Sequence, residues 1–194
     1  DKDGNIASLY GRHTEKGHHY LEGEHRGLYP GYPDPGTRKL ILTEAIIDAA
    51  TLQQLPEITK EYTILALYGT NGFTEYHKNA ISGLKDLKEV ILFFDGDDAG
   101  KEAIESIAVK FKQINANLTI TVVDTPEGED VNSLLQGHDL EIFTHLLENR
   151  ISFSFSTEKT ESKNRKTSIE KEKSEDNNPT VPSEDTGLKV TADY

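Results

Sequence analysis

The residues best suited to chemistry are acids that follow apolar runs. Asp95-Gly96-Asp97-Asp98-Ala99-Gly100 comes directly after VILFF at 90–94. Two carboxylates two residues apart at a strand end can face one site if the chain turns between them, and Gly96 permits that turn. Gathered carboxylates repel one another, which raises their pKa values and lowers stability. A hard divalent cation relieves the repulsion, and Mg²⁺ takes one or two carboxylates, with water and phosphate oxygens completing its shell. The plainer alternative is an Asp-Gly turn in which Asp97 or Asp98 caps the next helix. Glu44 closes a second apolar run, KLILT at 39–43, and Asp48 stands four residues on, on the same helical face. That pair is mildly unfavourable unless something positive lies beside it; taken alone, Glu44 is an ordinary first-turn acid favoured by the helix dipole. Pro126-Glu127-Gly128-Glu129-Asp130-Val131-Asn132 reads as a further acidic donor or as a surface turn with Asp130 as a cap. Tyr68-Gly69-Thr70-Asn71-Gly72 is a glycine turn that could set a backbone loop near phosphates.

A second set of residues precedes these acids. Tyr10, Tyr20, Tyr29 and Tyr32 stand among Arg12, Lys16, Arg26 and the histidines His13, His18, His19 and His25. Aromatic rings can stack bases while cations meet phosphates. The alternative is a small β-rich subdomain with half-buried tyrosines. The histidines follow no zinc-site spacing.

The elements that must position these groups follow from periodicity. Residues 1–38 alternate short β-like pieces (6–12, 18–21, 26–29) with glycine spacers and end at Pro30, Pro33 and Pro35, a β-rich lead-in. From 39 to 150, strand and helix signals alternate. KLILT, YTILALYG at 62–69, EVILFFD at 89–95 and LTITVVD at 118–124 read as strands. Residues 44–55, 72–84 and 98–115 read as the intervening helices, with Ala103, Ile104, Ile107, Ala108 and Phe111 on one stripe of the last. Short helices follow at 131–136 and 139–150. This order predicts a mostly parallel α/β sheet of about four strands with helices on both faces. Such sheets place sites at the carboxyl ends of their strands, where all four candidate segments fall. Residues 151–194 change to Lys, Glu, Ser, Thr and Asn, a composition that cannot bury enough surface to offset chain entropy, and read as a disordered linker or tail.

Bulk properties narrow the class. No apolar run approaches the roughly 18–20 residues that span a bilayer, and no signal peptide is visible. Cysteine is absent, which removes disulfides and thiolate zinc sites and fits a cytoplasmic protein. The net charge of −13 argues bluntly against a nucleic-acid partner. The acids are clustered, however, where a cation could offset them, so distribution outweighs the sum.

Taken together and in order, these segments resemble the Toprim domain of DnaG-type DNA primases. The resemblance rests on EAIID at 44–48, LYGTNG at 67–72 and FFDGDDAGKEA at 93–103, with PEGEDVN at 126–132 and YGRHTEKGHHYL at 10–21 similar to primase segments. It covers residues 5–150. It implies Glu44, Asp95 and Asp97 as catalytic metal-holding residues, Asp130 as a further ligand, and Asp48, Gly69, Thr70 and Asn132 in support. It implies nucleic-acid or nucleotide contacts from Arg12, His18, His19, Tyr20 and, more weakly, Lys101. Ala45 stands where the family has glycine, His18-His19 where primases have Pro-Lys, and Asn132 where an aspartate is usual. No cysteine-based zinc module is present in these 194 residues.

The implied activity is primer synthesis: Mg²⁺- or Mn²⁺-dependent nucleotidyl transfer from nucleoside triphosphates on a single-stranded DNA template, with a replicative helicase as partner and no membrane association. The closest similarity is to primases carried by mobile elements. Competing readings keep the domain and change the chemistry. A topoisomerase needs a tyrosine nucleophile from a separate domain; a Toprim nuclease usually needs an ATPase, and no G-x-x-x-x-G-K-[ST] motif is present. A binding module would hold metal and nucleic acid without turnover. A phosphoacceptor receiver domain would carry an acidic pair after its first strand and a lysine after its last, and neither is found.

Overall fold

A computed structural model describes residues 1–13, 17–20, 22 and 26–155. Residues 1–154 form one unit, and the second unit, 155–194, contains Phe155 alone among the described residues. All but residues 151–155 of the expected linker or tail therefore lie outside the described residues, as do Lys16 and His25.

The lead-in forms an antiparallel hairpin of β1 (Tyr10–Arg12) and β2 (His18–Tyr20), with Arg12 opposite His18 and Tyr10 opposite Tyr20. Residues 6–9, expected to be strand, join neither sheet among the described residues, and Ile6 and Leu9 are exposed. The expected strand at 26–29 shrinks to a single bridge from Tyr29 to Ala66, with the Ala66 amide donating to the Tyr29 carbonyl at 2.9 Å. That bridge covers an otherwise open sheet edge, where an unpaired backbone row invites association.

The main sheet is built from near-continuous apolar runs, as strands buried on both faces must be. Its members are β3 (Lys39–Thr43), β4 (Thr63–Ala66), β5 (Glu89–Phe93), β6 (Thr119–Val122) and β7 (Ile151–Ser152), in the order β4-β3-β5-β6-β7. The first four are mutually parallel, as expected. β7 is an antiparallel edge strand of two residues, too short to leave a periodic signal, and it extends the sheet past the anticipated boundary at 150. The helices are α1 (Ile46–Gln53), α2 (Pro56–Thr59), α3 (Glu75–Ser82), α4 (Asp98–Ile114), α5 (Val131–Gly137) and α6 (Glu141–Glu148).

Alternation along the strands divides the core in two. Leu40, Leu42, Leu65, Val90 and Leu92 pack with Ile81 of α3 and Ile107 and Phe111 of α4. Ile41, Ile64, Ile91 and Phe93 pack on the other face with Ala49 and Leu52 of α1, Leu134 of α5 and Phe143 of α6. Helices thus cover both faces. The predicted stripe of α4 is the buried one, with Ile104 only partly so. The chain leaves β3 towards β4 and leaves β5 towards β6, in opposite directions along the sheet. The carboxyl ends of these two neighbours therefore bound the crevice in which open α/β sheets hold ligands.

The opposite end is clasped by charge. Arg150 donates from Nε and an Nη to the two oxygens of Glu89, at 2.7 and 3.0 Å, and Thr121 donates to the same carboxylate at 2.8 Å. Burial pushes Glu89 up, but Arg150 and Thr121 outweigh it and hold its pKa below the ordinary value. No helix among the described residues is long and apolar enough to cross a membrane.

Candidate metal centre

Thr43 and Phe93 are in register on adjacent strands, so Glu44 and Asp95 emerge side by side at the crevice. α1 starts immediately after Glu44. Its cap position, Ala45, is extended (φ −113°, ψ 158°), so the methyl that replaces the family's glycine meets no backbone restriction. The Ala45 amide donates to Asp48 Oδ2 at 3.3 Å, and the Asn132 amide at the start of α5 also donates to the Asp48 carboxylate. Asp48 is 1% exposed, so it lies between two helix N-termini inside the protein.

The segment Asp95–Gly100 is shaped by space. Gly96 is not among the positive-φ glycines. A Cβ there would lie 1.9 Å from the Pro126 carbonyl oxygen, and one on Gly100 would lie 2.3 Å from that of Asp95. The expectation that Gly96 supplies a special turn is thus corrected: glycine is needed because the 126–129 turn lies against it. The Gly96 amide donates to the Glu129 carbonyl at 2.9 Å, and Thr125 Oγ1 donates to the Phe94 carbonyl at 2.6 Å. These bonds tie the ends of β5 and β6 together. Gly128 does take a left-handed conformation, at φ 76°.

Both capping alternatives also hold. Asp97 caps α4, accepting from the Gly100 amide at 2.7 Å. Asp130 caps α5, accepting from the Ser133 amide at 2.6 Å, while Ser133 Oγ accepts from the Asp130 amide and donates to the Glu129 carboxylate. Capping engages one oxygen of each aspartate and fixes its direction.

The acids feel one another. Burial, then the charges of Asp95 and Asp97, push Glu44 up to about 7. Burial, then Asp95 and Asp130, push Asp48 up to about 7 against the two amides that favour its charged form. Burial, then Asp130 and Asp97, push Asp95 up to about 6, while Arg12 pulls it down. The structure therefore brings Glu44, Asp48, Asp95, Asp97 and Asp130 into one electrostatic cluster, with Arg12 of β1 in reach of Asp95 and Asn132 at its base.

Other predicted residues sit further out. The Gly69 amide donates to the Glu44 carbonyl at 3.1 Å, and Gly69 has φ 88°, so Gly69 supports Glu44 through main chain, with Thr70 following it in the turn. Lys101 lies in the first turn of α4 with its amide on the Asp97 carbonyl and its side chain exposed. His19 is exposed on β2, and the side chains of His18 and Tyr20 lie outside the described residues. Sequence reasoning missed His77, which is fully buried. Nδ1 accepts from the Thr74 amide at 3.1 Å, which leaves the proton on Nε2 to donate to the Ala66 carbonyl at 2.9 Å. Burial lowers its pKa, with the Ala66 carbonyl acting the other way. The Thr74-x-x-His77 spacing, that of a capping box, is the signal that could have flagged it.

Whether these residues fit a cation can be tested on their oxygens. Glu44 Oε2, Asp48 Oδ1 and Asp95 Oδ1 are buried and without a hydrogen-bond partner. Buried polar atoms are almost always paired, so three orphaned carboxylate oxygens in one cluster mark a place for a positive ligand. Among the described residues, no three Asp, Glu or His side chains converge into a complete metal cage. A divalent cation that brings water and phosphate oxygens needs only one or two carboxylates, so the donor set fits such an ion.

A doubly wound sheet with this acidic cluster at its switch point defines a class, and residues 41–135 match the family described as Toprim-like. This region is a Toprim-type domain of the kind carried by DnaG-type DNA primases. A DNA primase of Rickettsia bellii is 30% identical over 135 residues, covering 69% of this chain and 21% of the relative. The chain thus spans about a fifth of the length of that curated relative. The primase fragment of the bacteriophage T7 primase-helicase protein superposes with a TM-score of 0.55 at 27% identity, over 75% of this chain and 59% of the fragment. The zinc-binding and RNA polymerase domains of the Aquifex aeolicus primase give 0.61 at 20% identity, over 88% and 42%, a likeness of fold.

Proposed function

We propose that this chain is the catalytic portion of a DNA primase, extending an RNA primer on single-stranded DNA from nucleoside triphosphates. The three orphaned carboxylate oxygens at the switch point carry the reading. A primer 3′-hydroxyl attacks the α-phosphate of the incoming nucleotide, and pyrophosphate leaves. The barriers are repulsion between anions and alignment. A divalent cation, Mg²⁺ or Mn²⁺, supplies charge neutralisation at the phosphates and lowers the pKa of the attacking hydroxyl.

The protein's own residues supply the frame. Glu44, Asp95, Asp97 and Asp130 hold the cation, with Asp97 and Asp130 aimed by the helix N-termini they cap. Asp48 and Asn132 brace the cluster, and the turn at Gly69 and Thr70 fixes the Glu44 backbone. Glu44 also takes the proton from the hydroxyl. Arg12 faces the triphosphate, and the β1–β2 hairpin, which carries His18, His19 and Tyr20 in its sequence, meets the strand, with Lys101 at the entry. The relation to a primase-helicase supports a replicative helicase as partner, and the phage source of that relative supports a mobile-element origin. Replication of this kind places the protein in the cytoplasm, away from membranes.

Template-directed incorporation of labelled ribonucleotides with Mg²⁺ or Mn²⁺ tests the proposal. Incorporation is expected from the chain in its natural full-length protein, falling by at least about 100-fold in Asp95→Ala and Asp97→Ala, the scale of losing a principal electrostatic group. Incorporation that survives both substitutions refutes the assigned site. Nicking of DNA without nucleotides points to the nuclease chemistry instead.

A further inference from the structure

His77 lies in the first turn of α3 with its imidazole fully buried, and it is not among the acids and cations of the metal centre. Both ring nitrogens are engaged by backbone. Nδ1 takes the Thr74 amide at 3.1 Å, and Nε2 meets the Ala66 carbonyl at 2.9 Å. An amide can only donate, so this bridge needs the neutral ring with its proton on Nε2. Phe73 stacks on the imidazole with centroids 5.7 Å apart and 28° between the planes, and Tyr68 meets it edge-on at 5.4 Å. Two polar nitrogens are costly to bury unless both are paired, so what the ring contributes beyond packing lies in its two bonds.

The two partners are the two ends of the loop that braces Glu44. Ala66 closes β4 and Thr74 caps α3, so the imidazole spans residues 67–73. Within that span the Leu67 amide donates to the Thr43 carbonyl at 2.9 Å, and the Gly69 amide donates to the Glu44 carbonyl. The loop has little internal play. Its Gly72 amide donates to the Gly69 carbonyl at 2.8 Å, and a Cβ on Gly72 would lie 2.2 Å from the Tyr68 nitrogen. β4 is the edge strand of the sheet among the described residues, and on its open side the Ala66 amide goes to Tyr29 and its carbonyl to His77. The segment that makes two bonds to the junction of β3 and α1 is thereby held from outside by one ring.

We propose that His77 is a positioning residue for the metal centre: it clamps the 67–73 loop, whose main chain sets the backbone of Glu44 and hence the place of its carboxylate. The inference rests on the metal-binding reading of the acidic cluster. Hydrogen-bonded groups behind a metal ligand govern affinity without touching the ion. His77 acts through the Ala66 carbonyl in particular. That bond fixes the end of β4 from which Leu67 and Gly69 follow, whereas Thr74 belongs to the start of α3.

Mn²⁺ binding to the full chain, followed by electron paramagnetic resonance, tests this with two variants that each keep one of the two bonds. Glutamine reaches the Ala66 carbonyl with its side-chain amide but leaves the Thr74 amide unpaired. Asparagine puts its carbonyl near the Nδ1 position and stops short of Ala66. Each variant loses one bond, so the two are expected to unfold at similar urea concentrations. His77→Asn is expected to bind Mn²⁺ about tenfold more weakly than the unmodified chain, the lower end of what loss of a group behind a metal ligand costs, while His77→Gln binds nearly as well as the unmodified chain. A histidine that served packing alone would give no such split. Nitrogen NMR of the unmodified chain reads the tautomer directly, with Nε2 expected to carry the proton, and so tests the bridge even where a variant fails to fold. Unchanged Mn²⁺ affinity in His77→Asn, equal weakening in both variants, or a proton on Nδ1 overturns the positioning role and leaves the acidic site standing. Failure of the unmodified chain to bind Mn²⁺, or binding that persists unchanged in Asp95→Ala, overturns the metal reading and this inference with it.

Discussion

Replacing Asp48 with asparagine should stabilise the metal-free protein, and increasingly so as the pH rises. Asp48 is 1% exposed, and its pKa is raised from an ordinary 3.8 to about 7. A raised carboxyl pKa means that the folded state holds its proton while the unfolded state has released it. Unfolding is therefore favoured progressively from about pH 4 up to about pH 7, and the full cost is present above that. Each pKa unit is worth about 1.4 kcal/mol, so the penalty is roughly 2 kcal/mol at pH 5 and about 4 kcal/mol at pH 8. Asparagine has no proton to lose and keeps an oxygen for the Ala45 amide. Urea denaturation in the presence of a chelator should show the stability difference between Asp48→Asn and the unmodified chain growing by about 2–3 kcal/mol from pH 5 to pH 8. Added Mg²⁺ should shrink the gap at pH 8, because a cation in the cluster offsets the charge that asparagine removes. A gap of equal size at both pH values, or an asparagine variant less stable than the parent at pH 8 without divalent ions, would show that Asp48 is not strained by its neighbours and would sink the reasoning.

Other consequences follow from the same geometry. Mg²⁺ should raise the melting temperature more at pH 8 than at pH 6, since Glu44 and Asp48 lose their protons within that range and Asp95 at its lower end; thermal scans of Asp95→Ala should show little of this response. Gly96→Ala places a methyl 1.9 Å from the Pro126 carbonyl oxygen, so it should lower stability by about 3 kcal/mol in urea and weaken Mg²⁺ binding by displacing the Asp95 turn. Arg150→Ala leaves Glu89 largely buried without its bidentate partner and should cost about 2–3 kcal/mol by denaturation, with Mg²⁺ affinity unchanged because the clasp is at the far end of the sheet.

The sheet was legible because its strands are buried on both faces. KLILT, TILA and EVILF carry unbroken apolar runs, and α4 carries a stripe that only a helix can bury on one side. The edges were not legible. Residues 6–9 look like a strand in composition but join neither sheet among the described residues, and Ile151–Ser152 is too short to reveal its pairing. At the site, the motif order located Glu44, Asp95, Asp97 and Asp130, but two features needed coordinates. Gly96 looked like a turn residue, whereas what excludes a side chain there is the carbonyl of a turn thirty residues away. Asp48 looked like a helper one turn along an amphipathic helix, whereas burial between the starts of α1 and α5 makes it as perturbed as Glu44. Long-range backbone approach leaves no local trace in sequence.

The division of labour among the acids argues for the kind of ligand the site takes. Asp97 and Asp130 each spend an oxygen on a helix amide, which orients them before any ligand arrives. Glu44, Asp48 and Asp95 instead keep oxygens buried with no donor, at a cost that a fold would shed if the position were merely structural. Amides from the protein pair the corresponding oxygens at both caps. Leaving the other three open is of use only to a partner that is strongly positive, enters from solvent and can leave again. Arg12 alone cannot fill that role, since its pull on Asp95 is weaker than the combined push of burial, Asp130 and Asp97. The deficit of positive charge at the crevice is thus built in, and it is the deficit that the proposed divalent cation, arriving with phosphates, would make good.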